Sequence, residues 1–277
     1  MADTTADTRR PAPPARTYLR LTWTWSRAMA QYPLSLLLLG LAQSLSVTIE
    51  LTAVLVVFGH ARTLAGFTPT EALLVYGLAG TAFGTADLLI GQVERLGAHI
   101  RSGAFDTMLI RPVSPLVQLA ADEFSPRRLG KVLPALACLT YALATAGIDW
   151  TPARALTLPL LIASGAAICC ATWLLGACLQ FFIAEAREAA NSITYGGKAL
   201  TEYPLAVFGA DTARWATFAL PLAFVSWQPA LYLLDRPDPT GLPDQLRHAA
   251  PAAALLLSAL AALAWRTGLR HYRSTGS

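Results

Sequence analysis

The stretch LTLPLLIASGAAICCATWLLGACLQFFI, residues 156–183, runs from Leu156 to Ile183 without one charged side chain. A helix needs about 20 consecutive apolar residues to cross the roughly 30 Å of hydrocarbon in a bilayer. This run meets that length, and its backbone polar groups would all be satisfied within the helix. Working outward, similar apolar runs occupy Leu34–Phe58, Thr70–Gly91, Leu129–Ile148 and Ala249–Trp265. A further span falls between Ala184 and His248. Hydropathy favours Trp215–Leu234, but Pro221 and Pro229 interrupt that run. A span starting near Ala190, followed by re-entrant or outer-face helices, fits equally well.

Composition agrees with this reading. Hydrophobic residues make up 55% of the 277 positions and charged residues only 14%, with mean hydropathy +0.47. Soluble domains carry about 25% charged residues, so a soluble enzyme, a disordered scaffold and a nucleic-acid-binding module all fit poorly. The net charge of +4 comes from Arg flanking the apolar runs, and no nucleic-acid partner is expected. The expected fold is an all-α polytopic membrane protein with six transmembrane helices.

Charge asymmetry sets the orientation. Arg9, Arg10, Arg16, Arg20 and Arg27 precede the first span; Arg95, Arg101, Arg111, Arg127, Arg128 and Lys131 follow the second; Arg266, Arg270 and Arg273 follow the last. The loops at 59–69 and 149–155 carry only Arg62 and Arg154. By the positive-inside rule both termini and the 92–130 loop are cytoplasmic, N-in and C-in. Residues 1–17 are polar and Pro-rich and are expected to be disordered. Residues 18–32 read as an interfacial amphipathic helix, with Tyr18, Leu21, Trp25, Met29 and Tyr32 on one face and Arg20, Arg27 and Gln31 opposite. The six-span domain covers 33–268, and 269–277 form a cytoplasmic tail.

The cytoplasmic stretch IRSGAFDTMLIRPVSP, residues 100–115, starts helical, breaks at Gly103, resumes as a short amphipathic turn and stops at Pro112. Held between two spans, it suits a mechanical contact with a soluble partner. Phe105, Leu109 and Ile110 would be apolar anchors, and Asp106 and Arg111 a polar rim. A solvated connecting loop is the plainer alternative.

The pattern I-x-x-G-x-x-D-x-x-L-x-R-P-V-S resembles the coupling segment of ATP-binding-cassette (ABC) type-2 permeases, in particular their six-span, viologen-exporter-like or generic subgroup. Two further stretches are similar to that subgroup: Tyr203-Pro204-Leu205-Ala206-Val207-Phe208 with Pro221-Leu222-Ala223-Phe224 and Gln228-Pro229-Ala230, and the tail Trp265-Arg266-x-Gly268-Leu269-Arg270-x-Tyr272-x-Ser274-x-Gly276. The resemblance implies a permease subunit of an ATP-driven exporter in a bacterial inner membrane. It also implies a second permease, identical or paralogous, and two ABC ATPase subunits that bind ATP and Mg. Gly103, Phe105, Asp106, Leu109, Ile110, Arg111 and Pro112 would then make the ATPase-coupling segment. The run from Asp122 to Arg128, DEFSPRR, departs from the family pattern.

No catalytic residues, resident cofactor or metal site are expected on this chain. Gly196-Gly197-Lys198-Ala199 lacks the earlier Gly and the Mg-binding hydroxyl of a phosphate loop. His60, His99, His248 and His271 are dispersed, and Cys138, Cys169, Cys170 and Cys178 read as buried thiols. Glu50 in the first span and Asp87 near the inner end of the second are pathway candidates. A carboxyl there costs about 2.5–3.5 kcal/mol on insertion scales and usually faces a bundle interior or cavity. An interhelical hydrogen bond is the structural alternative. Lys198 and Glu202, four apart, suit a helix-surface ion pair, and Gly80-x-x-x-Gly84 permits close helix approach. A secondary transporter or channel not driven by ATP is the rival reading, but no internal repeat supports it.

Overall fold

A computed structural model describes residues 13–60, 63, 65–183 and 186–273. Among these the regular structure is helical throughout, apart from short 3-10 turns. The helices are α1 (Pro14–Ala30), α2 (Pro33–His60), α3 (Pro69–Ile90), α4 (Leu96–Arg101), α5 (Ala104–Leu109), α6 (Pro115–Ala121), α7 (Leu129–Thr145), α8 (Pro152–Leu179), α9 (Arg187–Thr201), α10 (Ala210–Phe218), α11 (Trp227–Leu234) and α12 (Ala250–His271). Local sequence explains many of the starts. Proline occupies the first turn of α1, α3, α6, α8 and α12, where its missing N–H costs nothing. Thr68 and Glu71 form a reciprocal capping box at α3.

Four of these helical segments, Pro33–Val56, Pro69–Arg101, Pro152–Leu179 and Ala250–His271, are long and apolar enough to cross a membrane. They correspond to four of the expected spans. The stretch expected to span at Leu129–Ile148 forms α7, whose 17 residues reach about 26 Å and which is not one of those four. It ends at Thr145, and Gly147 then adopts a left-handed φ of 68°. Between 186 and 248 the chain is broken: α9, then α10 and α11 separated by short turns at Leu205–Phe208 and Leu222–Phe224. The uninterrupted Trp215–Leu234 helix that hydropathy favours does not form. Trp215 lies in α10 and Leu234 in α11, with Pro221 between them.

α3 is apolar on all sides and sits at the centre, packed against α7 and α8, with α12 beyond α8 and α2 beyond α7. Glycine makes the α3–α7 contact possible. A Cβ at Gly77 would stand 2.7 Å from the Leu139 backbone, and one at Gly80 would stand 2.9 Å from Ala135. α2 is also apolar on all sides but is only partly covered, mainly by α7 and the turn at Pro126–Arg128. Leu34, Leu38, Leu41, Leu45 and Ile49 are exposed, as suits a helix whose solvent is hydrocarbon.

α1 carries the amphipathic face expected of residues 18–32, with two differences. It begins at Pro14, so residues 13–17 are ordered, whereas residues 1–12 lie outside the described residues. Tyr18, Leu21, Thr22, Trp25 and Met29 turn inward, and the Tyr18 hydroxyl donates to the Leu89 carbonyl at 2.7 Å. Tyr32, expected on that face, is instead exposed, as are Leu19 and Trp23. Tyr32 follows the last turn of α1, where helical spacing no longer fixes its direction.

Candidate functional site

Residues 100–115 fold much as their pattern suggests. α4 stops at Arg101, and Gly103 takes a left-handed φ of 72°, which favours glycine. α5 runs from Ala104 to Leu109, and the chain then bends through Ile110, Arg111 and Pro112 into α6. Gln118 closes the bend by donating its Nε2 hydrogens to the carbonyls of Met108 (2.8 Å) and Val113 (3.0 Å). The bend is thereby held by side-chain hydrogen bonds from α6.

Its side chains divide between two directions. Leu109, Ile110, Arg111 and Pro112 face outward, Ile110 with 84% of its surface exposed. Phe105 requires a correction: expected as an anchor for a partner, it is fully buried in this chain's own core. Its ring meets Phe181, Trp265 and Tyr272 edge-on, at centroid distances of 5.7, 6.4 and 5.2 Å. With six residues, α5 can present only one narrow outer face, and Leu109 and the following Ile110 occupy it. Asp106 accepts a hydrogen bond from the Tyr272 hydroxyl at 2.9 Å. Partial burial and the adjoining Asp106 carboxylate hold the Tyr272 hydroxyl protonated, with its pKa pushed up to about 12.

The surrounding ion pairs account for the run at 122–128. Asp122 pairs with His99 at 3.2 Å, Glu123 pairs with Arg95, and Gln92 donates to the Glu123 carbonyl. Gln180, at the end of α8, bonds both the Gly97 N–H (2.7 Å) and the Glu94 carbonyl (3.1 Å). Together with the Tyr272–Asp106 bond, these contacts tie the C-terminal ends of α8 and α12 to the α4–α5 segment. The sequence offered no role for Gln180 or Phe181. Trp265 and Tyr272 stood out only as part of the tail pattern, whose Ser274 and Gly276 lie outside the described residues.

The pathway candidates separate into two charge clusters. Asp87 is buried, with Lys131 Nζ at 2.9 Å and Arg128 Nη1 at 3.2 Å. Glu50, by contrast, keeps 45% of its side chain uncovered and accepts a bond from Lys198 Nζ at 2.7 Å. Lys198 also lies 2.5 Å from Glu202, so the expected helix-surface pair is in fact a three-membered cluster linking α9 to α2. Gly196-Gly197-Lys198 lies within α9 rather than in a loop. Glu50, Tyr76, Phe83, Lys131, Tyr195 and Lys198 border a cavity of about 100 Å³. Phe83, Trp173 and Tyr195 form an aromatic trio beside it, and Lys198 lies 5.6 Å from the Phe83 ring centre.

Other residues singled out from sequence have structural surroundings. Trp227 and Gln228 both donate to Asp238, at 3.1 and 2.8 Å, so the Gln228-Pro229-Ala230 motif anchors the broken region. The four cysteines are free thiols, and among the described residues no three His, Cys, Asp or Glu side chains converge as metal ligands.

Four long apolar helices, with charge clusters at Asp87 and Glu50 and a braced segment at one end, fit a multi-pass membrane protein. The family described as ABC-2 family transporter protein matches residues 44–276, and the chain belongs to that family. This makes it a transporter membrane subunit of an ABC system. No curated protein and no solved structure matches it.

Proposed function

We propose that the chain is the permease subunit of an ATP-driven exporter, inserted N-in and C-in as six membrane passes in a bacterial inner membrane. Separate ATPase subunits, two per transporter, bind ATP and Mg and act on residues 100–115. A second permease, identical or paralogous, completes the unit. The observation that carries this reading is the outward presentation of Leu109, Ile110 and Arg111 on a segment braced from behind by Gln118 and Phe105. An exposed apolar side chain on a rigid mount is what an interface anchor requires. In this reading α7 and α9, shorter than the four long helices, supply the remaining two passes in a locally thinned or cavity-lined region.

Glu50 is the pathway residue in this proposal. A carboxyl within a span that leaves nearly half its side chain uncovered must meet water or a polar group, because hydrocarbon contact is costly. Asp87, enclosed by two cations, serves instead to hold α3 to α7.

Co-purification tests the proposal. The tagged full chain, extracted in mild detergent, should carry an ABC ATPase, and Ile110→Asp should lower its recovery at least tenfold while leaving membrane insertion unchanged. A secondary transporter or channel would purify without any ATPase, and that result would sink the proposal.

A further inference from the structure

Four aromatic side chains from three distant parts of the sequence meet where the projecting segment joins the bundle. Phe105 comes from α5, Phe181 from just beyond α8, and Trp265 and Tyr272 from the end of α12. Phe181 also meets Trp265 at 5.3 Å and Tyr272 at 6.1 Å, so the four rings form a closed set. Edge-to-face ring pairs contribute about 0.5–1.5 kcal/mol each beyond their buried area and are directional. A set of this kind resists sliding as well as separation.

Two details show how closely the joint is fitted. Gly268, one helical turn before Tyr272, lies directly under Phe181, and a Cβ there would fall 2.3 Å from the Phe181 ring. The Tyr272 hydroxyl reaches past the rings to Asp106, adding a polar tie between the last helix and α5. Phe105 is fully buried and Trp265 nearly so, while Phe181 and Tyr272 are partly buried, so the two central rings are withdrawn from any docking partner.

We infer that the C-terminal end of α12 is the receiving half of a mechanical joint, in which Trp265, Gly268 and Tyr272 position α5 and carry its displacement into α12 and α8. Trp265 and Tyr272 are positioning residues: they touch neither the ATPase nor the cargo and act through Phe105 and Asp106. The outer face of α5 receives the push and the inner face delivers it. This inference rests on the proposed coupling role of residues 100–115, but the joint itself is a property of the chain alone.

Hydrogen exchange on the purified full-length chain, without ATPase, tests the joint. Gly268→Ala lies on α12 and Tyr272→Ala at its C-cap, yet both should speed amide exchange at residues 105–109 by about tenfold, with α3 unchanged. Tyr272→Phe, which keeps the ring and removes only the bond to Asp106, should give about a fivefold effect, the usual net worth of one hydrogen bond. Unchanged exchange at 105–109 in all three variants would overturn the inference. With the co-purified ATPase present, ATP plus vanadate should alter α12 exchange in the wild-type chain. In Tyr272→Ala that response should be lost while ATPase recovery stays within about twofold, since the docking face is untouched. A preserved α12 response in Tyr272→Ala would equally overturn the inference. Absence of any ATPase from the wild-type preparation would count against the proposed function, and the ATP-free measurement would still decide the joint.

Discussion

Lys198 bridges two carboxylates that differ in surroundings, and the difference sets what each substitution should do. Glu202 is buried, whereas Glu50 keeps 45% of its side chain uncovered. Removing one partner of a buried ion pair costs about 3–5 kcal/mol, because the remaining charge is left uncompensated. Lys198→Ala should therefore destabilise the protein by about 3 kcal/mol, read as a lower midpoint in thermal unfolding in detergent. Glu50→Gln should cost about 1 kcal/mol or less, since an exposed pair contributes little, and any change in export should come without loss of assembly. Comparable losses from both substitutions would make Glu50 a structural carboxyl. Sequence alone located Glu50 in an apolar span and Lys198 beside Glu202. It could not reveal that the two sites meet, because their contact spans nearly 150 residues of chain and depends on how α9 folds back.

At the scale of single elements, the chain's punctuation was legible and its packing was not. The break at Gly103 appears where the residues put it, whereas α5 ends at Leu109, three residues before the expected stop at Pro112, and α8 starts at Pro152 rather than at Leu156. Which side of α5 turns inward could not be read, because one short turn with apolar residues on both sides has no unique buried face. Long-range partners decided it, and Phe105 went inward. Glycine shows the same division. Gly80-x-x-x-Gly84 was recognisable as a close-approach pattern, but the backbone that fills it comes from α7. Gly77→Ala would drive a methyl against Leu139 and should cost about 1–3 kcal/mol. Gly196→Ala, with open space around its Cβ position in α9, should be neutral or stabilising by about 0.5–1 kcal/mol. Paired thermal unfolding of the two variants measures the contrast, and equal effects would deny that α3 and α7 are in backbone contact.

The same elements set the pH behaviour of the projecting segment. Burial and the Asp106 carboxylate push the Tyr272 pKa up to about 12, above the value near 10 of an unburied tyrosine. A pKa raised by folding contributes stability that is complete below the unfolded value and is lost as pH rises through the folded one. The Tyr272 bond to Asp106 should therefore be insensitive to Tyr272 titration between pH 6 and 9 and should weaken only above about pH 10. Amide exchange at 105–109, corrected for its intrinsic pH dependence, checks this. A step near neutral pH that disappears in Tyr272→Phe would contradict it.

For the whole molecule, hydropathy located the long helices but not the number of complete crossings. α7 ends early at a left-handed glycine region, and prolines divide the stretch after α9, so neither makes a simple apolar rod. That irregularity bears on transport. The cavity beside Glu50 and Lys198 is about 100 Å³, room for a handful of water molecules. α3 fills the centre of the bundle and is buried along most of its length, so no wide conduit can open there without unpacking the core. The proposed function therefore places the path for cargo between two permeases, at surfaces that a single chain leaves uncovered. The proposed function accordingly predicts that the transporter, weighed with its detergent subtracted, contains two permease chains for every functional unit. Replacing exposed leucines of α2 by tryptophan, such as Leu38→Trp and Leu45→Trp, should leave insertion intact because hydrocarbon accepts the ring. If α2 lies between the two permeases, the larger side chains should shift the mass toward one permease; if it faces lipid, the mass should hold. A single permease chain that sustains ATP-dependent export in a nanodisc would overturn the two-permease prediction under either outcome.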